Sequence, residues 1–161
     1  MARHDLDAPV TLSVIDRLID TEPKKTVEPP LTRSQSLRQL KASLRRDLEW
    51  LLNTRQTPEE VSGVYREVER SVYTYGLPDI TSLGVHSTRD QARLKRALEK
   101  TISLFEPRMT ATRVVMEVLP TTGHGIRFHI QGMLRVAPRP EPVAFDTVLE
   151  LPSGQYAVKG E

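Results

Sequence analysis

The sequence contains no cysteine. Disulfide stapling, thiolate nucleophiles and thiolate metal sites are therefore excluded, and the absence fits a reducing compartment. Nothing approaches the ~18 consecutive apolar residues of a membrane span, so no membrane insertion is expected. The first residues carry Arg3, His4, Asp5 and Asp7 with no apolar run behind them. That pattern predicts no secretory signal and a cytoplasmic protein. An excess of one charge is lacking too: the net charge is +2, with both signs well mixed. A protein that lives on phosphate contacts carries a denser basic stripe, so no nucleic-acid partner is expected in spite of a pI near 9.0. There is no Gly-rich phosphate loop, no nucleophile elbow and no His-Glu-x-x-His zinc helix. The four histidines, His4, His86, His124 and His129, are scattered and read as exposed or hydrogen-bonded side chains. No cofactor and no metal is expected.

What is present suits one ordinary domain. The chain has 161 residues, 38% apolar and 27% charged, enough for a core without staples. It reads in three parts. Residues 1–33 form an arm and linker. Leu12, Ile15, Leu18 and Ile19 make one apolar face over about two helical turns, and the proline-rich stretch Glu22 to Pro30 follows as an extended linker. So short a helix cannot bury its face locally; it docks back on the domain or onto another protein. Residues 34–161 form the main domain. Ser34 or Ser36 is expected to cap a helix opening near Leu37, with Leu37, Leu40, Leu44, Leu48, Leu51 and Leu52 on one face. A less regular stretch, Glu59 to Val85, holds a short helix through Val64 and Val68 and a turn at Tyr73 to Asp79. Ser87 or Thr88 caps a second strong helix bearing Leu94, Ala97, Leu98, Ile102 and Phe105, which Pro107 stops.

Strands follow. Val114 to Val118 is a β-branched run, and Thr122 to Gly125 is a turn. Ile126, Phe128, Ile130, Leu134 and Val136 alternate with polar residues as in a half-buried strand. Gly132 interrupts that strand and suggests a bulge. Further strands are expected at Val143 to Leu149 and around Tyr156 to Val158. The fold class expected is α+β: an arm and two main helices, then an antiparallel sheet of about four strands.

Glu106 is the obvious candidate for a general acid of a glycoside hydrolase, but Arg108 stands two residues away. A nearby guanidinium favours the charged carboxylate, the opposite of what a general acid needs. Asp47 and Asp79 are possible second carboxylates, and nothing in the sequence brings either one opposite Glu106.

Several segments together carry a resemblance. Asp47-Leu48-Glu49-Trp50-Leu51-Leu52-Asn53-Thr54-Arg55, Val72-Tyr73-Thr74-Tyr75-Gly76-Leu77-Pro78-Asp79 and Ile102-Ser103-Leu104-Phe105-Glu106-Pro107-Arg108 resemble the signatures of TssE, the type VI secretion baseplate family. The Glu-Pro-Arg triplet resembles the hallmark of the wider baseplate-wedge family of contractile phages, often labelled "lysozyme-like". The stretch Arg127 to Val158, with Phe145-Asp146-Thr147, and the arm Ser13 to Asp20 are similar as well, so the likeness covers nearly the whole chain. It implies a structural part with no enzymatic activity. Such a part is bound to the TssF and TssG subunits and lies where the contractile sheath of TssB and TssC begins, among domains that join by exchanging strands.

The partner-binding residues expected on this basis are Glu106, Pro107, Arg108, Trp50, Arg55, Ile15, Leu18 and Ile19. Bland alternatives stand beside them. Trp50 covers the edge of the core or anchors a partner. Arg55 caps a helix C-terminus or meets a neighbour. Glu106 and Arg108 pin the helix-to-strand junction, or Arg108 presents a planar fork to a partner while Glu106 orients it. On the second reading Arg108→Ala leaves a folded monomer that no longer joins TssF and TssG. The alternative function is a peptidoglycan hydrolase using Glu106. A weaker one is nucleic-acid binding through Arg38, Lys41, Arg45 and Arg46.

Overall fold

A five-residue helix, α1 (Val14–Leu18), opens the described chain, with the Ser13 hydroxyl accepting from the Asp16 N–H. The computed structural model describes residues 8–19, 23–24, 29–59, 61–79, 87–118, 125–150 and 155–160. Most of the linker, the turn at 122–124 and His4, His86 and His124 lie outside them.

The first long helix, α2 (Arg33–Asn53), begins earlier than the serines suggest. Thr32 is its cap, in a reciprocal arrangement: the Thr32 hydroxyl accepts from the Gln35 N–H, and the Gln35 side chain accepts from the Thr32 N–H. Ser36 is instead buried within the first turns, accepting from the Val10 N–H and donating to the Arg33 carbonyl. Leu40, Leu44, Leu48, Leu51 and Leu52 are all buried. Each such side chain stabilises the fold by about 2 kcal/mol relative to an exposed one.

A looser stretch carries a single-turn helix, α3 (Arg66–Glu69), and a 3-10 turn at Val72–Thr74. Helix α4 (Thr88–Phe105) is capped by Ser87 and buries Leu94, Leu98, Thr101 and Ile102. The four strands are β1 (Met109–Val118), β2 (Gly125–Leu134), β3 (Glu141–Glu150) and β4 (Gln155–Gly160). They pair antiparallel in the order β1-β2-β3-β4. The domain is α+β, with α4 packed on β1 and α2 on β4.

Alternation divides the sheet into two faces. Val114, Ile126, Phe128, Ile130, Leu134, Val143, Phe145, Leu149, Tyr156 and Val158 join the leucines of α2 in one core. The other face is polar and open; there His129 Nδ1 meets Asp146 at 2.6 Å. The bulge lies in β1, between Thr110 and Arg113, where Ala111 takes φ 52°. Gly132 stands opposite it, in a regular strand. A Cβ there would come within 2.4 Å of the Met109 side chain. Glycine is needed in β2 for close approach rather than for an extra residue.

Candidate functional site

Pro107 stops α4, and Glu106, the C-cap, turns the chain straight into β1. The Met109 N–H donates back to the Glu106 carbonyl at 3.1 Å, and the Arg135 N–H donates to the Arg108 carbonyl at 2.7 Å. This tight corner puts Glu106 and Arg108 side by side. Arg108 Nε donates to Glu106 Oε1 at 2.7 Å, its backbone N–H reaches the same oxygen at 3.1 Å, and Nη2 donates to Oε2. Glu106 is only 4% exposed, so this fork supplies the partners its burial demands.

Arg108 Nη2 also donates to Asp47 Oδ2 at 2.7 Å. Asp47 Oδ1 in turn accepts from Arg46, at 3.0 Å from Nε and 2.8 Å from Nη2. Arg46 Nη2 reaches Asp16 Oδ1 at 2.8 Å and its guanidinium lies over the Trp50 ring, 5.0 Å from the centroid. Five alternating charges, Glu106, Arg108, Asp47, Arg46 and Asp16, thus run from the corner across α2 to the arm.

The hydrogen bonds from Arg108 to Glu106 outweigh burial and hold the guanidinium's pKa above its ordinary value. Burial pushes Asp16 upward, but donation from Ser13, Arg46 and Ser43 wins and holds it below the usual aspartate value. Tyr75 packs edge-on against Phe105, with ring centroids 5.3 Å apart. Burial, then the charges of Asp47 and Glu106, push its phenol upward.

The expected site residues divide between places. Glu106, Pro107 and Arg108 form the corner. Trp50 is 58% exposed on the flank of α2 beside Arg46. Arg55 lies past the end of α2, where it donates to the Leu52 carbonyl at 3.2 Å, the helix-capping geometry. The arm docks back on the domain through Asp16 and through Val10 and Leu12, which pack against the core. Its Ile15, Leu18 and Ile19 nevertheless remain 61%, 78% and 51% exposed.

The fold brings Asp47 to Glu106, which nothing in the sequence indicated, with Arg108 between them. Arg46, foreseen only as a nucleic-acid contact, and Asp16, not foreseen as a site residue, belong to the same row. Their one sequence signal, polar residues on helix faces, is shared with every surface charge. Among the described residues no group of three His, Asp or Glu could hold a metal ion, and no helix is long and apolar enough to cross a membrane.

The family model described as baseplate wedge protein gp25 matches residues 38–139, well over half of the chain. The chain belongs to that family. It is the family of the TssE-like type VI baseplate proteins. None of the curated proteins and none of the solved structures matches the chain. The baseplate-wedge match takes in most of α2, the corner and β2, and leaves α1, β3 and β4 outside. As a member of the gp25 family the chain is a structural baseplate component of a contractile injection system, and it interacts with other baseplate subunits.

Proposed function

We propose that this chain is a non-enzymatic joint of a type VI baseplate wedge, assembled in the cytoplasm, held by TssF and TssG, and helping to seed the first TssB and TssC subunits of the sheath. The observation that carries this reading is a set of exposed apolar side chains on α1 and α2, joined to a closed ionic row through Asp16 and Arg46. Trp50, Ile15, Leu18 and Ile19 are more than half exposed, while the charges next to them are spent on one another. Burying a large apolar side chain is worth about 1.5–3 kcal/mol, whereas an exposed ion pair gives under ~1 kcal/mol. The hydrophobic residues therefore supply the affinity. Arg108, with 24% of its side chain exposed and its Nε and Nη2 engaged by Glu106 and Asp47, fixes the shape of the corner that a neighbour meets behind Pro107. Arg55 extends the surface past the end of α2. In this reading the arm, residues 1–33, and the wedge domain, residues 34–161, meet the neighbour together, because Asp16 ties α1 to Arg46.

Glu106 makes a poor general acid here. Both its oxygens accept from Arg108, and the second carboxylate, Asp47, sits across the same guanidinium.

Co-expression with TssF and TssG tests the joint. Trp50→Ala and the pair Ile15→Ser and Leu18→Ser should each reduce recovery of the neighbours while melting near the parental temperature, and Arg108→Lys should reduce it with a modest loss of stability. Full recovery by all of them would sink the proposal. Clearing of a cell-wall suspension by the purified protein, abolished by Glu106→Gln, would restore the hydrolase.

A further inference from the structure

The outer face of α4 carries a row of cations. Arg89, Arg93 and Arg96 follow one another at helical spacing, about 10 Å from first to last, and Lys100 continues the row. Lys100 meets Glu69 of α3 at 2.9 Å. Among the described residues Arg89 and Arg93 have no ion-pair or hydrogen-bond partner, and Arg96 reaches only the Ala92 carbonyl of its own helix, at 3.1 Å. The hollow beside them is lined by Ser87, Arg89, Asp90, Arg93 and Arg96, so one described acid stands among three guanidiniums. Like charges three and four residues apart repel, and a cation in the first turn also faces the positive end of the helix dipole. Helix α4 therefore holds this row at a cost that incoming carboxylates would offset.

The row runs into a groove of about 350 Å³ between α4 and the loop before it. Ala97, Leu104 and Phe105 of α4 line one side, and Pro58, Val61 and Pro78 line the other. The Lys100–Glu69 pair ties the loop to α4, and Tyr73, donating to Glu59 at 2.8 Å, ties the loop to itself. That loop also leaves Val64, Tyr65, Val68 and Val72 exposed, Val72 to 91%. This is apolar surface that the fold does not cover. Strand pairing has no foothold here. The N–H groups of Glu69, Arg70, Ser71, Thr74 and Tyr75 all donate to carbonyls within the same stretch. A partner on this face is read by its side chains.

We propose that this face of α4 docks an acidic amphipathic helix of a neighbouring protein, with apolar side chains in the groove beside Leu104 and Phe105 and carboxylates one turn apart along Arg96, Arg93 and Arg89. Two helices lying side by side share a rise of about 1.5 Å per residue, so acids at i, i+4 and i+7 keep step with the three arginines. The groove takes apolar side chains from the same helix, which a nucleic acid does not offer. The cations select acid over neutral sequence. None of these side chains belongs to the joint of Trp50 and Arg108; this is a second surface, beyond that reading.

Fluorescence anisotropy of the full chain with a labelled helical peptide, Leu on one face and Glu along its border, tests it. The same peptide with Gln for Glu, the same with Ser for Leu, and a DNA duplex serve as comparisons. The Glu–Leu peptide should bind saturably and more weakly as salt rises. Either replacement should weaken binding by about tenfold or more. So should reversing the row by Arg89→Glu, Arg93→Glu and Arg96→Glu together. Ala97→Phe, which fills the groove, should weaken it several-fold. Arg38→Glu with Arg45→Glu, exposed cations of α2, should leave it unchanged. The docking face is overturned if the peptide does not bind saturably, if the Gln or the Ser peptide binds as tightly, if the α2 reversal costs as much as the α4 reversal, if Ala97→Phe has no effect, or if DNA binds better. The peptide comparisons use the unaltered chain, so they decide the matter even where a variant fails to fold. No baseplate neighbour enters this experiment, and its failure leaves the Trp50 and Arg108 joint standing. Loss of the joint is read from co-purification, without the peptide.

Discussion

Arg108 donates to Glu106 through its backbone as well as through its guanidinium, so one residue both shapes the corner after α4 and neutralises the acid buried in it. On this geometry a folded Arg108→Ala monomer carries a stability cost of its own. Truncation strands a carboxylate that is 4% exposed. The variant should lose about 2–4 kcal/mol of stability, read as a lower melting temperature. Adding Glu106→Gln should recover part of the loss. A melting curve for Arg108→Ala that overlays the parent would show the pair to be structurally idle. Arg108→Lys is the fairer probe of binding, because it keeps the charge and alters the fork.

Gly76 locks the loop before α4 against the end of α2. Its φ is +105°, and a Cβ would lie 2.4 Å from the Thr54 carbonyl oxygen. Two short backbone bonds flank it, Leu77 N–H to Thr54 at 2.8 Å and Gln56 N–H to Leu77 at 2.9 Å. Gly76→Ala should cost about 2–4 kcal/mol, from backbone strain and displacement of Thr54 together. Denaturant unfolding measures it, and a cost below about 0.5 kcal/mol would contradict the geometry.

Asn53→Ala should open the outer edge of β4. Both Tyr156 backbone groups lose their partner, at a cost of about 1–2 kcal/mol. The freed edge should also raise the tendency to self-associate, visible in light scattering at rising concentration. Asn53→Asp keeps the acceptor and loses the donor, so its stability should fall between the parent and Asn53→Ala.

Docking of α1 should depend on acid. Asp16 is held below its ordinary value of 3.8 by its local partner Ser13 and, in the docked fold alone, by Arg46 and Ser43 of α2. A depressed native value means that the undocked state takes up a proton first. The docked arm is thus fully favoured above the ordinary value, and loses that advantage as pH falls through the native one. Arg46 links Asp16 to Trp50, and Trp50 is the sole tryptophan. Its emission should therefore shift below pH 3.8, ahead of any change in far-UV circular dichroism. The same shift in Asp16→Asn would assign it to another group.

Much of this protein was written in short-range pattern. Leucines at helical spacing became the buried stripe of α2. Alternation from Ile126 placed β2 with the right residues inward, and Pro107 ended α4 where it had to, because these are effects of neighbours within a few residues. Capping was less legible. Thr32 outcompeted Ser34 and Ser36 because Gln35 closes a reciprocal pair with it, while burial drew Ser36 into the core.

The sequence by itself determined the elements, their order and their apolar faces, since propensity, period and proline act locally. Only the tertiary structure decided that Arg108 reaches Asp47 across 61 residues and that Asn53 seals β4 across 103. Those relations depend on how packed elements end up against one another, and a polar side chain carries no mark in one dimension of the partner that desolvation will oblige it to find.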